Sequence, residues 1–181
     1  MPLALEDRWL PATLTAPRMT DEEFAAFCAE HPDLSFETSA SGELIVMPPT
    51  YTETGMRSLE IGTQLQIWTR SDGRGRAAGS STGYVLPNGA RRSPDASWVL
   101  KQRIRELDKS VRKRFYRICP DFVIELRPDS DRLTTLREKM REWIANGAQL
   151  GMADRSFTAR RRDLSSGAGF GSSGECDDRR G

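Results

Sequence analysis

Hydrophobic spacing along the chain changes period several times, and each change marks an element. Thr20-Asp21-Glu22-Glu23 has the form of a capping box and opens a helix carrying Phe24 and Phe27. Leu34-Ser35-Phe36-Glu37-Thr38 and Glu43-Leu44-Ile45-Val46-Met47 flank the turn-rich Ser39–Gly42, which predicts a hairpin stopped by Pro48-Pro49. From Thr52 to Arg70, Met56, Leu59, Leu65 and Trp68 fall near helical spacing. Gly83–Leu86 reads as a short strand closed by Pro87-Asn88-Gly89, and Ala96–Leu100 and Phe122–Leu126 are apolar runs of buried-strand length. The clearest stripe is Leu133, Leu136, Met140, Trp143 and Ile144, a helix ended by Asn146-Gly147. Helices interleaved with strands place the chain in the α/β or α+β class.

The 181 residues suffice for one domain with its own core. Hydrophobic residues make up 37% and charged residues 29%, which excludes a wholly disordered chain. With 27 basic and 26 acidic residues, no chain-wide basic field announces a nucleic-acid binder. The single histidine, His31, precedes Pro32 in an expected loop, so a polyhistidine metal site is excluded and a Ser-His-Asp triad disfavoured. Cys28, Cys119 and Cys176 are far apart, with no Cys-x-x-Cys pair, so neither a zinc site nor a disulfide framework is indicated. No signal-peptide pattern or membrane-length apolar run is present, and the expected compartment is the cytoplasm.

Charge becomes informative where it interrupts apolar strands. Ser93-Pro94-Asp95-Ala96-Ser97-Trp98-Val99 and Pro120-Asp121-Phe122-Val123-Ile124-Glu125-Leu126-Arg127 both run Pro-Asp into an apolar segment. Asp at such a place also serves as an ordinary strand-start residue. Glu125 lies inside its apolar run, and a buried unpaired carboxylate costs several kcal/mol, so it needs a partner. A salt bridge to Arg127 on the same strand face, a metal, or a catalytic network would each serve. Lysine is scarce, with only four in the chain. Lys139 falls beside Trp143 at the flank of the last helix's apolar stripe, away from Glu138 and Glu142, a placement that snorkelling alone explains. Glu37 follows Phe36 in the first strand. Between Lys101 and Arg117, eight bases stand against Glu106 and Asp108, either a solvated face or a phosphate contact.

Longer motifs give these residues a context. Glu37 with Gly42-Glu43-Leu44-Ile45-Val46-Met47-Pro48-Pro49 resembles the opening motif of the Uma-type restriction endonucleases of the PD-(D/E)XK superfamily. So do Ser81-Thr82-Gly83-Tyr84-Val85-Leu86-Pro87-Asn88-Gly89, Arg92–Val99, Cys119–Arg127, and the helix from Lys139 to Gly151, in that order. The resemblance implies an α/β, restriction-endonuclease-like fold: a central mixed sheet flanked by helices, with acids converging at one edge. It implies a Mg2+-dependent (or Mn2+-dependent) endonuclease hydrolysing DNA phosphodiester bonds, with DNA as partner and a homodimer as a compatible assembly. Asp95 and Glu125 would hold the metal and Glu37 would be a supporting acid. The lysine that the superfamily places two residues after the acid is Arg127 here, which can clamp a phosphate but not act as a base. Lys139 is then the candidate catalytic cation. Two alternatives remain open: a non-catalytic nucleic-acid- or protein-binding descendant, and a decayed gene product.

After Gly151 the composition shifts. Residues 152–181 hold 8 hydrophobic residues in 30, against 59 in the 151 before them. The family pattern continues Trp-Leu-Ile-Asp here, a core strand, whereas this chain reads Met152-Ala153-Asp154-Arg155. A one-nucleotide shift forces the Trp and permits the rest, consistent with a frameshift near codon 151. The expected organisation is an N-terminal extension over 1–19, the domain over 20–151 lacking its last core strand, and a polar tail over 152–181.

Overall fold

The computed structural model describes residues 11–107, 114–126, 133–153 and 157–160. Two sheets organise them.

The first sheet is antiparallel throughout, in the order β1-β3-β2-β6-β5. It is built from β1 (Ala12–Leu14), β2 (Ser35–Thr38), β3 (Leu44–Met47), β5 (Tyr84–Val85) and β6 (Arg91–Arg92). Its hairpin, β2 and β3, has the expected register, with Glu37 opposite Ile45. Alternation puts Phe36, Leu44 and Val46 into a small core beneath helix α1 (Asp21–Glu30), where Phe24 completes the cluster. The capping box at the start of α1 forms in both directions: the Thr20 amide donates to Glu23 Oε2 at 2.7 Å, and the Glu23 amide donates to Thr20 Oγ1 at 3.2 Å. Residues 12–14, expected to precede the domain, pair with β3 as its edge strand β1.

The second sheet is mixed, in the order β10-β9-β8-β7-β4. Its strands are β4 (Gly75–Gly79), β7 (Ala96–Leu100), β8 (Phe122–Glu125), β9 (Leu150–Ala153) and β10 (Phe157–Arg160). β8 and β9 run parallel, joined through helix α4 (Leu133–Ala145), and the other neighbours run antiparallel. Period-two alternation divides the faces. Val99 and Val123 pack with Met140, Trp143 and Ile144 of α4, whereas Ala96 and Trp98 pack with Leu65 of helix α2 (Thr52–Asp72). The mixed sheet is therefore flanked by helices, as expected. Gly73 ends α2 in the left-handed conformation, with φ of 71°. A Cβ on Gly75 would lie 2.0 Å from the Trp98 ring, so β4 can cross there only with glycine.

The absence of a core strand after Gly151 is corrected by this sheet. Leu150–Ala153 forms β9, in register with Phe122–Glu125 of β8. A ladder is made by main-chain groups, and only alternate side chains need fit the core. Gly151 and Ala153 are the two buried positions, Met152 faces outward, and Gly151 leaves the room that Met140 fills. Small residues thus meet a requirement for which the sequence carries no apolar run.

The basic Lys101–Arg117 segment yields only a short helix, α3 (Lys101–Glu106), and residues 108–113 lie outside the described ones. Several of its charges serve structural pairs: Arg103 with Asp121 at 2.7 Å, Arg117 with Asp21 at 2.5 Å, and Arg114 with Glu22. Asp121 plays the plain strand-entrance role, accepting the Leu100 amide at 2.9 Å. Among the described helices none is long and apolar enough to cross a membrane.

Candidate active site

Four elements deliver charge to one place between the two sheets. β2 brings Glu37, the turn before β7 brings Asp95, the end of β8 brings Glu125, and α4 brings Lys139. Lys139 Nζ lies 3.0 Å from Glu37 Oε1 and 3.1 Å from Glu125 Oε2, and donates to the Ser93 carbonyl at 3.4 Å. The scarce lysine is therefore no snorkelling residue: its side chain is 20% exposed and reaches into the site.

Asp95 joins through the backbone. Ala96 pairs with Ile124 at the end of the β7–β8 ladder. One step further, Asp95 Oδ2 accepts the Leu126 amide at 2.7 Å. This bond holds Asp95 beside Glu125 where regular pairing ends. The residue two beyond Glu125, Arg127, lies outside the described residues. The described partners of Glu125 are Lys139 and Trp143, whose Nε1 donates to Glu125 Oε1 at 2.7 Å.

Three participants carried no separate signal in the sequence. Arg92 of β6 donates to Glu37 Oε2 at 3.0 Å and to Glu142 Oε2 at 2.6 Å. Glu142 belongs beside Lys139 at the next turn of α4, not on a solvent face with Glu138, and Asn88 donates to its other oxygen at 3.1 Å. The Ser93 amide donates to Glu37 Oε1 at 2.9 Å. Arg92 and Ser93 immediately precede Pro94-Asp95, but only tertiary pairing of β6 with β2 turns them toward Glu37.

The electrostatics separate the three acids. Burial alone would raise Glu37, but Lys139, Arg92 and the Ser93 amide bring its pKa below the usual carboxylate range, so it is ionised. Burial pushes Glu125 up to about 7; Lys139 opposes this, while Asp95 and Glu37 add to it. Burial also raises Asp95, against the Leu126 amide and Lys139. Lys139 is itself raised: burial would lower it, but Glu125 and Glu37 outweigh that. Of these four groups one is a fixed anion, one a fixed cation, and two are acids whose ionised forms lack full compensation. Among the described residues no three His, Cys, Asp or Glu side chains are grouped to hold a metal. The two-carboxylate pair of Asp95 and Glu125 suits a hard cation that keeps water ligands, and bound positive charge would supply what their raised pKa values lack.

A mixed sheet between helices, with two acids at the ends of adjacent strands and a lysine from the helix packed on them, has the form of a restriction-endonuclease-type fold. Residues 21–157 match the Uma2 family model, described as "Putative restriction endonuclease", and the chain belongs to that family. In structure the chain is similar to a "putative nuclease belonging to DUF820" from Anabaena variabilis, with a TM-score of 0.60 at 18% identity, over 78% of this chain and 79% of that one. No curated protein matches it in sequence.

Proposed function

We propose that the chain is a metal-dependent endonuclease that hydrolyses phosphodiester bonds in DNA. The observation that carries this reading is the convergence of Glu37 and Glu125 on one lysine, Lys139, among buried surroundings, with Asp95 held beside Glu125 by the Leu126 amide. Asp95 and Glu125 would hold Mg2+ (or Mn2+), which takes one or two carboxylates together with waters and substrate phosphate. When bound, the ion supplies Lewis acidity at phosphorus and a more acidic water.

The protein's own residues have distinct tasks in this reading. Lys139, kept protonated by its two acids, donates to phosphate oxygens and offsets developing charge; it is not the base. Glu37 stays ionised and would keep the ammonium in place were Glu125 to hold the metal. Trp143 holds Glu125 by Oε1, so that Oε2, paired with Lys139 in this structure, is the oxygen that would serve a metal. Arg127 would clamp a backbone phosphate. The word "nuclease" in the descriptions of both family and structural neighbour supports nucleic acid as the substrate.

Nicking of supercoiled plasmid in the presence of Mg2+ tests the proposal. Asp95→Ala and Glu125→Ala should each abolish it, and Lys139→Ala should reduce it by about two orders of magnitude or more. Equal nicking by wild type and by both acid variants would remove the catalytic reading and leave a binding role.

A further inference from the structure

Helix α2 is apolar on two opposite faces, although the domain covers only one. Leu65 and Thr69 are buried against the mixed sheet. On the other side Met56, Leu59, Thr63 and Ile67 follow one another at helical spacing, i, i+3, i+7 and i+11. Met56 is 67% exposed, Leu59 73% and Ile67 58%, so no described residue covers this stripe. Thr63 turns its hydroxyl back to the Leu59 carbonyl at 2.8 Å, which leaves its methyl group to the surface. A run of exposed apolar side chains along one helix face, rimmed by polar residues, marks a surface that a partner covers.

We propose that the outer face of α2 is the interface of a homodimer, in which α2 packs antiparallel against α2 of a second copy. The argument for a second copy is self-complementarity. When two such helices cross antiparallel with the two-fold axis between Ile61 and Gly62, Met56 comes opposite the partner's Ile67. The same register sets exposed Glu53 opposite the partner's Arg70. Acid lies at the N-terminal end of the stripe and base at the C-terminal end, so both ends of the crossing match in charge.

The area agrees. At roughly 200 Å2 for a large apolar side chain, Met56, Leu59 and Ile67 offer on the order of 400 Å2. A standard interface takes about 800 Å2 from each partner, a little over half of it non-polar. One helix face with its charged rim therefore supplies the apolar centre of an interface of ordinary size. The inference is independent of the nuclease reading, because none of these residues reaches the Lys139 site.

Sedimentation velocity on the full chain, from low to high micromolar concentration, tests it. Wild type should sediment as a dimer. Leu59→Arg should weaken dimerisation by about tenfold or more, while its melt at concentrations low enough for both proteins to be monomeric matches wild type, since Leu59 is exposed in the monomer. Glu53→Arg should weaken it as well, and adding Arg70→Glu should restore it, because the swap rebuilds the pair in the opposite sense. A monomeric wild type, a dimer indifferent to Leu59→Arg, or a double charge swap that fails to restore association would each overturn the proposal. Asp95→Ala should stay dimeric whatever its effect on nicking.

Discussion

Replacing Glu125 with glutamine should stabilise the protein at alkaline pH while removing its response to divalent metal. Glu125 is 4% exposed and titrates at about 7 in place of 4.5. The folded state therefore holds this proton more tightly than the unfolded state does. Stability from the protonated form is fully present below about 4.5 and is lost as pH rises through about 7. A displacement of that size corresponds to about 3 kcal/mol. Glutamine retains the Oε1 that accepts from Trp143 but sets an NH2 group before Lys139, at a cost of about 1 kcal/mol. The expected balance in metal-free buffer is a variant about 2 kcal/mol more stable than wild type at pH 8, and equal or slightly weaker at pH 5. In a domain of this size that is about 4–8 °C in Tm. Urea titrations of both proteins at the two pH values, with chelator and then with MgCl2, measure it. Wild type should gain stability from Mg2+ at pH 8 and little at pH 5, where protons compete for Glu125; the variant should gain little at either. A glutamine variant less stable than wild type at pH 8 would refute the electrostatic argument.

Three further outcomes follow from named contacts. Arg92→Met should destabilise by about 2–4 kcal/mol in urea titration, because it strips a largely buried cation from Glu37 and Glu142 together. Gly75→Ala should cost about 1–3 kcal/mol, since its Cβ would collide with the rigid Trp98 ring rather than a flexible side-chain end; an unchanged Tm would contradict the close approach of β4 to β7. Thr20→Ala should cost about 1 kcal/mol through the lost cap of α1, and hydrogen exchange should show fraying confined to the first turn of that helix.

Local rules were enough for much of the chain. The capping box at Thr20, the β2–β3 hairpin and the apolar runs of β7 and β8 depend on neighbours in sequence, and all were legible there. Glu125 was legible as well, because an acid inside a buried strand demands a partner wherever it occurs. That this partner is Lys139 and Trp143 depends on how α4 docks against β8, which no spacing within either element specifies. Arg92 and Glu142 looked like ordinary surface charge for the same reason: β6 is only a two-residue strand, and its direction comes from pairing with β2 and β5. Strand β9 went unseen because Gly151 and Ala153 carry almost no hydrophobic signal, whereas the parallel ladder with β8 needs only their backbone and their small size. By itself, the sequence determined which residues must be buried and which local structures they form, since short-range sterics and alternation act before any fold exists. Tertiary structure alone decided which buried charges meet, because that depends on contacts between segments tens of residues apart, where a few ångströms separate a compensated acid from a costly one.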